Sequence, residues 1–180
     1  MEKKENIFKK LKSNLFDFFF KYKYATVICL SGLIVVFWDL FLKYFTDGMD
    51  QTLINGILSF VSSHNTGAAW SIFSNSTTFL IIISIVFIIG ILIFNYFYKN
   101  KTYFYAISLG LVLSGAICNL LDRIKYGYVR DFIKLEFMNF PIFNIADCAI
   151  TVGVILLCVY FLFFSGKKEQ IIFKKQDKNE

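Results

Sequence analysis

Four stretches of this chain, residues 25–42, 78–98, 102–121 and 143–164, are long and almost wholly apolar. A hydrocarbon core about 30 Å thick is crossed by about 20 helical residues, and a helix suits lipid because it satisfies its own backbone N–H and C=O groups. The expected fold is therefore an all-α membrane protein of four transmembrane helices, with a basic segment at residues 1–24 and a basic tail at 166–180. Composition agrees: 57% hydrophobic residues, 19% aromatic and a mean hydropathy of +0.59 exceed what a soluble domain carries.

The net charge of +6 is distributed by topology rather than as a nucleic-acid footprint. Lys3, Lys4, Lys9, Lys10, Lys12, Lys21 and Lys23 precede the first span, Lys99 and Lys101 fill the second connection, and Lys167, Lys168, Lys174, Lys175 and Lys178 follow the last. Positive residues stay in the cytoplasm, so both termini are expected there, with the first and third connections outside. Ile7, Phe8, Leu11 and Leu15 among the early lysines also suit an amphipathic helix on an anionic leaflet, although topology alone accounts for them. No small-residue cleavage pattern follows the first span, which reads as an anchor rather than a removed signal peptide.

Cysteines 29, 118, 148 and 158 lie in or beside spans without Cys-x-x-Cys spacing, and His64 is the only histidine. Disulfides, a zinc site or any other cofactor are not expected, and histidine-based peptidase motifs are excluded.

The first outward connection mixes β-favouring residues with turn residues, so a small extracytoplasmic β-structure is expected over about 50–76. Asn65-Thr66-Gly67 supplies a turn. Gly67, Ala68 and Ala69 would let an extended substrate backbone approach closely, though on this segment alone an ordinary surface hairpin is the preferred reading, since turn-plus-small-residue runs are common.

In the third span Ala106, Gly110, Ser114 and Cys118 recur every four residues, a small face that brings helices together. Gly115, Asn119, Asp122 and Arg123 then fall in roughly one sector of the helix, expected to face the bundle interior. Asp122 and Arg123 read either as a mutually compensated pair at the helix end or as support. In the second reading Asp122 orients the guanidinium, and Arg123 reaches the carboxylates and the substrate's carbonyls or lipid ester. Asn119 is placed to hydrogen-bond a substrate backbone.

The fourth span opens after Pro141 with Asn144 and Asp147 three apart and Thr151 continuing the face. A helix N-terminus favours a carboxylate at Asp147, whether as a simple cap or as chemistry. Asp131, in the third connection, is expected to converge with it. Two carboxyls that close do not both ionise readily; one keeps a proton and polarises a carbonyl while the other takes a proton from water. In the first span Asp39 and Lys43 form a favourably ordered helical ion pair, with Lys43 expected to snorkel outward and Asp39 to bond the loop carrying Asn65. A rival reading makes Asp39, Asp122, Asp131 and Asp147 the proton carriers of a small coupled transporter. The acids cluster at the outer ends rather than along a path, however, and no internal repeat is visible.

Taken together, Asp39 and Lys43, Asn65-Thr66-Gly67-Ala68-Ala69, Gly115-x-x-x-Asn119-Leu-x-Asp122-Arg123, Val129-x-Asp131-Phe132 and Phe143-Asn144-x-Ala146-Asp147 resemble lipoprotein signal peptidase over about residues 25–165. The resemblance implies an aspartic endopeptidase of the bacterial cytoplasmic membrane. Its substrate would be a prolipoprotein carrying diacylglycerol on its lipobox cysteine, cut just before that cysteine, with membrane lipid as the only other partner and no obligatory protein partner. Asp131 and Asp147 match the catalytic dyad; Asn65, Gly67, Asn119, Arg123 and Asn144 match positions that bind substrate or shape the site. Asp39, Lys43, Gly115 and Asp122 are supporting residues. Leu40, where a polar residue is common, Trp70, where phenylalanine is common, and the long basic start depart from the pattern without touching the dyad.

Overall fold

The structure, a computed structural model, describes residues 21–67, 73 and 76–165. Residues 1–20 and 166–180, which hold most of the basic flanks and the amphipathic pattern, and Ala68, Ala69 and Trp70 lie outside the described residues. Four helices among them are long and apolar enough to cross a membrane: α1 (Lys23–Phe45), α2 (Thr77–Phe97), α3 (Tyr103–Tyr126) and α4 (Ile145–Phe163). Two run past the apolar stretches, α1 through Lys43 and α3 through Asp122 and Arg123. Hydropathy falls where the charges begin, but the helices continue because those charges find partners inside the protein.

Helix α3 is the axis of the bundle, buried along most of its length, while much of the surface of the other three faces outward. Its small residues set the distances. A Cβ on Gly110 would meet Ser31 Oγ at 2.0 Å and Ile28 O at 2.7 Å, so α1 packs backbone-close on that face. A Cβ on Gly115 would meet Ala146 O at 2.4 Å, and one on Gly153 would meet Ser108 O at 2.8 Å, so α4 is equally close along the neighbouring face. Thr102 caps the start of α3 by accepting from Tyr105 N, and Gly127, at φ 80°, ends it in the left-handed region. Thr77 donates to Gly127 O at 2.8 Å, pinning the start of α2 to the end of α3.

The β-structure expected between the first and second helices is present and is completed by a strand from the third connection. Strands β1 (Asp50–Ile54), β2 (Leu58–Asn65) and β3 (Val129–Leu135) form an antiparallel sheet in the order β1-β2-β3. Asn65 pairs with Val129, His64 with Arg130 and Ser63 with Asp131, and Phe60 packs edge-on against Phe132 at 5.8 Å. The hairpin is thus no free surface loop: β2 holds the strand that carries Asp131 at the end of the helical bundle. An isolated bridge between Ile133 and Phe143 leads the chain from β3 back to the start of α4.

Candidate active site

Asn144 is the joint on which the site is built. It is the N-cap of α4: its Oδ1 accepts from Asp147 N at 2.9 Å, and its own N–H donates to Asp147 Oδ2 at 3.2 Å, a reciprocal capping box. Its side-chain amide also donates to Asp131 Oδ1 at 2.6 Å. One residue therefore holds both carboxyls. Asn65 donates to the other oxygen of Asp131 at 2.9 Å while accepting from Gly67 N at 2.9 Å. Asn119 donates to Asp147 Oδ1 at 2.7 Å and accepts from the Asn144 amide at 3.1 Å. The sequence-expected Asn65, Asn119, Asn144, Asp131 and Asp147 are brought together, from β2, α3, the α4 cap, β3 and α4.

Asp131 is 2% exposed. Burial first, then the neighbouring charge of Asp147, push its carboxyl up to about 7, against the opposing hydrogen bonds from Asn65 and Asn144. A carboxyl in that state can hold a proton near neutral pH and release it, which an exposed aspartate cannot do.

Beneath the pair lies a buried charge cluster that departs from the sequence expectation. Lys43 does not snorkel: its side chain is fully buried, with Nζ 2.7 Å from Asp39 Oδ2 and 3.0 Å from Asp122 Oδ2. Two carboxylates and the oxygen of Asn119, at 3.5 Å, give the ammonium a better environment than a long reach to water. Asp39 does not bond the loop carrying Asn65; its Oδ1 accepts from Ala146 N at 2.9 Å, satisfying an otherwise open donor in the first turn of α4. Nor does Asp122 orient Arg123. It takes a two-nitrogen grip from Arg130, Nη2 at 2.8 Å and Nε at 3.4 Å, and accepts from Arg130 N at 3.1 Å. Consecutive helical side chains diverge by about 100°, so neighbours such as Asp122 and Arg123 do not face each other.

Arg123 instead donates to Gly67 O at 2.8 Å and to Asn119 O at 3.5 Å, and among the described residues its buried Nε has no hydrogen-bond partner. It clamps the turn after β2 to the end of α3. Thr151 is exposed and returns its hydroxyl to Asp147 O, so it takes no part in the inner face. Arg130 is the residue that sequence reasoning missed. Once Val129–Leu135 is seen to be a strand, its geometry turns Arg130 away from its neighbour Asp131 and back toward the end of α3, but the sequence carries no sign of the strand.

The fold and the site together define a multi-pass membrane protein with a pair of carboxyls gathered at one end of its helical bundle. The pattern of the signal peptidase II family matches residues 31–163. A Lactobacillus johnsonii protein named lipoprotein signal peptidase is 40% identical over 151 residues, covering 82% of this chain and 98% of the relative. An Enterococcus faecalis protein of the same name is 40% identical over 144 residues, covering 76% and 88%. Among solved structures, one described as a bacterial membrane enzyme determined by the in meso method at 2.3 Å superposes with a TM-score of 0.70 at 37% identity, covering 80% of this chain and 92% of that one. A second, at 1.9 Å, gives a TM-score of 0.67 at 37% identity, covering 78% and 94%. The chain belongs to the signal peptidase II family. It is accordingly a peptidase of lipoprotein signal-peptide processing.

Proposed function

We propose that this chain is an aspartic endopeptidase that removes the signal peptide from diacylglyceryl-modified prolipoproteins, cutting before the lipidated cysteine, with Asp131 and Asp147 as the catalytic pair. The observation that carries this reading is Asn144 holding one carboxyl through its side-chain amide and the other through its cap. One aspartate ionised and one protonated, the pair has what peptide hydrolysis needs. The ionised carboxylate takes a proton from water as its oxygen attacks the scissile carbonyl carbon, and the protonated acid gives its proton to the carbonyl oxygen. The tetrahedral carbon then expels the amine of the cysteine, which takes up the proton held by the first carboxylate, while the hydroxyl proton returns to the second. The pair ends as it began, and no covalent enzyme species forms.

Membrane lipid supplies part of the positioning. Two acyl chains on the substrate cysteine fix the depth of the bond and confine the search to a plane, a share of the proximity effect. The lysine distribution supports both termini in the cytoplasm of a bacterial cell, with the site on the extracytoplasmic side of the cytoplasmic membrane. Asn119, Arg123 and the Asn65–Gly67 turn then line the approach of the peptide, and no protein partner is required.

The test is processing of a purified diacylglyceryl-modified precursor by protein in liposomes, scored by gel shift. Asp131→Asn and Asp147→Asn should each abolish cleavage while the protein still inserts and folds. Turnover close to wild type in either variant excludes the mechanism.

A further inference from the structure

Outside the helices, the large hydrophobic side chains exposed among the described residues gather at one place. Leu53, Ile54, Ile57, Phe137, Met138 and Phe140 are all exposed; elsewhere beyond the helices only Phe73 and the flanking Tyr22 and Phe164 join them. The six come from two segments distant in sequence. Ile54 and Ile57 bracket the β1–β2 turn, closed by Ile57 N donating to Ile54 O at 3.0 Å around Gly56 at φ 70°. Phe137, Met138 and Phe140 follow β3, and Glu136 N donates to Ile57 O at 2.9 Å, holding the second segment against the first. This is the end of the sheet away from Asn65 and Asp131, since Leu58 pairs with Leu135 here while Asn65 pairs with Val129 at the other end.

We propose that this sheet tip is a membrane-contacting surface, seated in the boundary between headgroups and acyl chains of the outer leaflet. Ile54 is 51% exposed, Ile57 50% and Phe137 64%, in a cluster of the kind that soluble surfaces rarely leave facing water. Its charged neighbours do not oppose this placement: Lys134 and Glu136 are paired with each other at 3.1 Å on the rim. Strand β1, which carries the chain to this cluster, also follows directly on a helix whose exposed face is suited to lipid. Phe37, Phe41 and Phe45 stack ring on ring along the exposed face of α1, at 6.1 and 6.2 Å, and the chain enters β1 five residues after the last of them. Aliphatic and aromatic residues with no open hydrogen-bonding demand suit lipid, which needs no matching shape.

The inference rests on the proposed orientation of the site but adds a device to it. A sheet anchored at both ends, by Asn65 and Asp131 over the bundle and by its tip in the leaflet, lies along the membrane surface. It holds the peptide-facing turn at a fixed height above the lipid that carries the substrate cysteine.

The experiment places a cysteine at Ile57 or at Met138, labels it with a charged nitrobenzoxadiazole reagent in nanodiscs of phosphatidylglycerol and phosphatidylcholine, and subtracts the labelling of the chain's own cysteines. Labels at both positions should be quenched by doxyl-bearing lipid and spared by aqueous iodide, with the reverse at an Asp47→Cys control. Iodide quenching without lipid quenching at the tip overturns the proposal, as does self-quenching that grows with protein concentration, which would make a second copy the occupant. The two labelled positions report independently, so one poorly folded variant does not decide the result. Depth is read without substrate, so this outcome stands apart from any failure of the aspartic mechanism.

Discussion

Asn144 donates its side-chain amide to Asp131 at 2.6 Å, and the same residue caps the helix that begins with Asp147. One side chain therefore bears on both fold stability and carboxyl spacing. In Asn144→Ala the cap is lost, at about 1 kcal/mol, and Asp131 loses one of the two amide donors it has among the described residues. Thermal unfolding in detergent should show that small loss, and precursor turnover should drop by about 100-fold or more, far beyond what 1 kcal/mol explains. A variant that loses stability but keeps its rate would show that the spacing is unimportant.

The pH profile follows from Asp131. Its carboxyl, held up to about 7 by burial and by Asp147, keeps a proton that an ordinary aspartate has lost. The proposed pair works with one proton between its two acids, so turnover should fall as pH rises through about 7, where that proton is lost, and fall again in acid once both carboxyls are protonated. Stability has the same sign. The folded state binds a proton that the unfolded chain releases at lower pH, so the contribution of Asp131 is present in acid and is lost as pH rises toward about 7. Rate and unfolding temperature measured across this range check both; a rate still rising roughly two units above neutrality would contradict the single-proton pair.

The helices were legible because lipid imposes a simple rule on length and composition, and helical spacing likewise put Asn119 on the inner face of α3 and Asn144 with Asp147 at the start of α4, whereas Asn65 and Asp131, on strands, were legible only from their short motifs. What stayed hidden was non-local. Strand β3 opens Val129-Arg130-Asp131-Phe132, with Val129, Asp131 and Phe132 all buried, so no alternation of polar and apolar residues announces it; its partner β2 lies more than sixty residues earlier. The burial of Lys43 was hidden for the same reason. An acid four residues back gave it a local partner, but Asp122, from another helix, is what makes full burial tolerable. Adjacent opposite charges misled as well: Asp122 and Arg123 each found partners elsewhere, although the 100° step of the helix already argued against the local pair.

Removing Lys43 should be the most damaging single change in the buried cluster. Lys43→Met leaves Asp39 and Asp122 facing each other without their shared cation, a loss of about 3–5 kcal/mol for a broken buried pair. Arg130→Ala should cost less, about 1–2 kcal/mol, because its side chain is 20% exposed and Asp122 keeps Lys43. Unfolding of the two variants, and of Lys43→Met combined with Asp39→Asn, tests the order. The double variant should recover part of the stability lost by Lys43→Met, since one orphaned charge goes with the cation.

Gly115 separates packing from chemistry. An added methyl there would meet Ala146 O at 2.4 Å, next to Asp147, whereas the same methyl at Gly110 would meet Ser31 and Ile28 of α1. Both Gly→Ala variants overpack the bundle and should lose about 1–3 kcal/mol. They differ in what must move. At Gly115 the first turn of α4 is displaced, carrying Asp147 away from Asn119, which holds it at 2.7 Å. At Gly110 the strain falls on α1, about 7 Å further along α3 from that contact. Gly115→Ala should therefore lower kcat at least tenfold with a modest change in KM, while Gly110→Ala should lose comparable stability and keep most of its rate. Equal rate losses in the two would show that the bundle as a whole, rather than the seat of Asp147, limits catalysis.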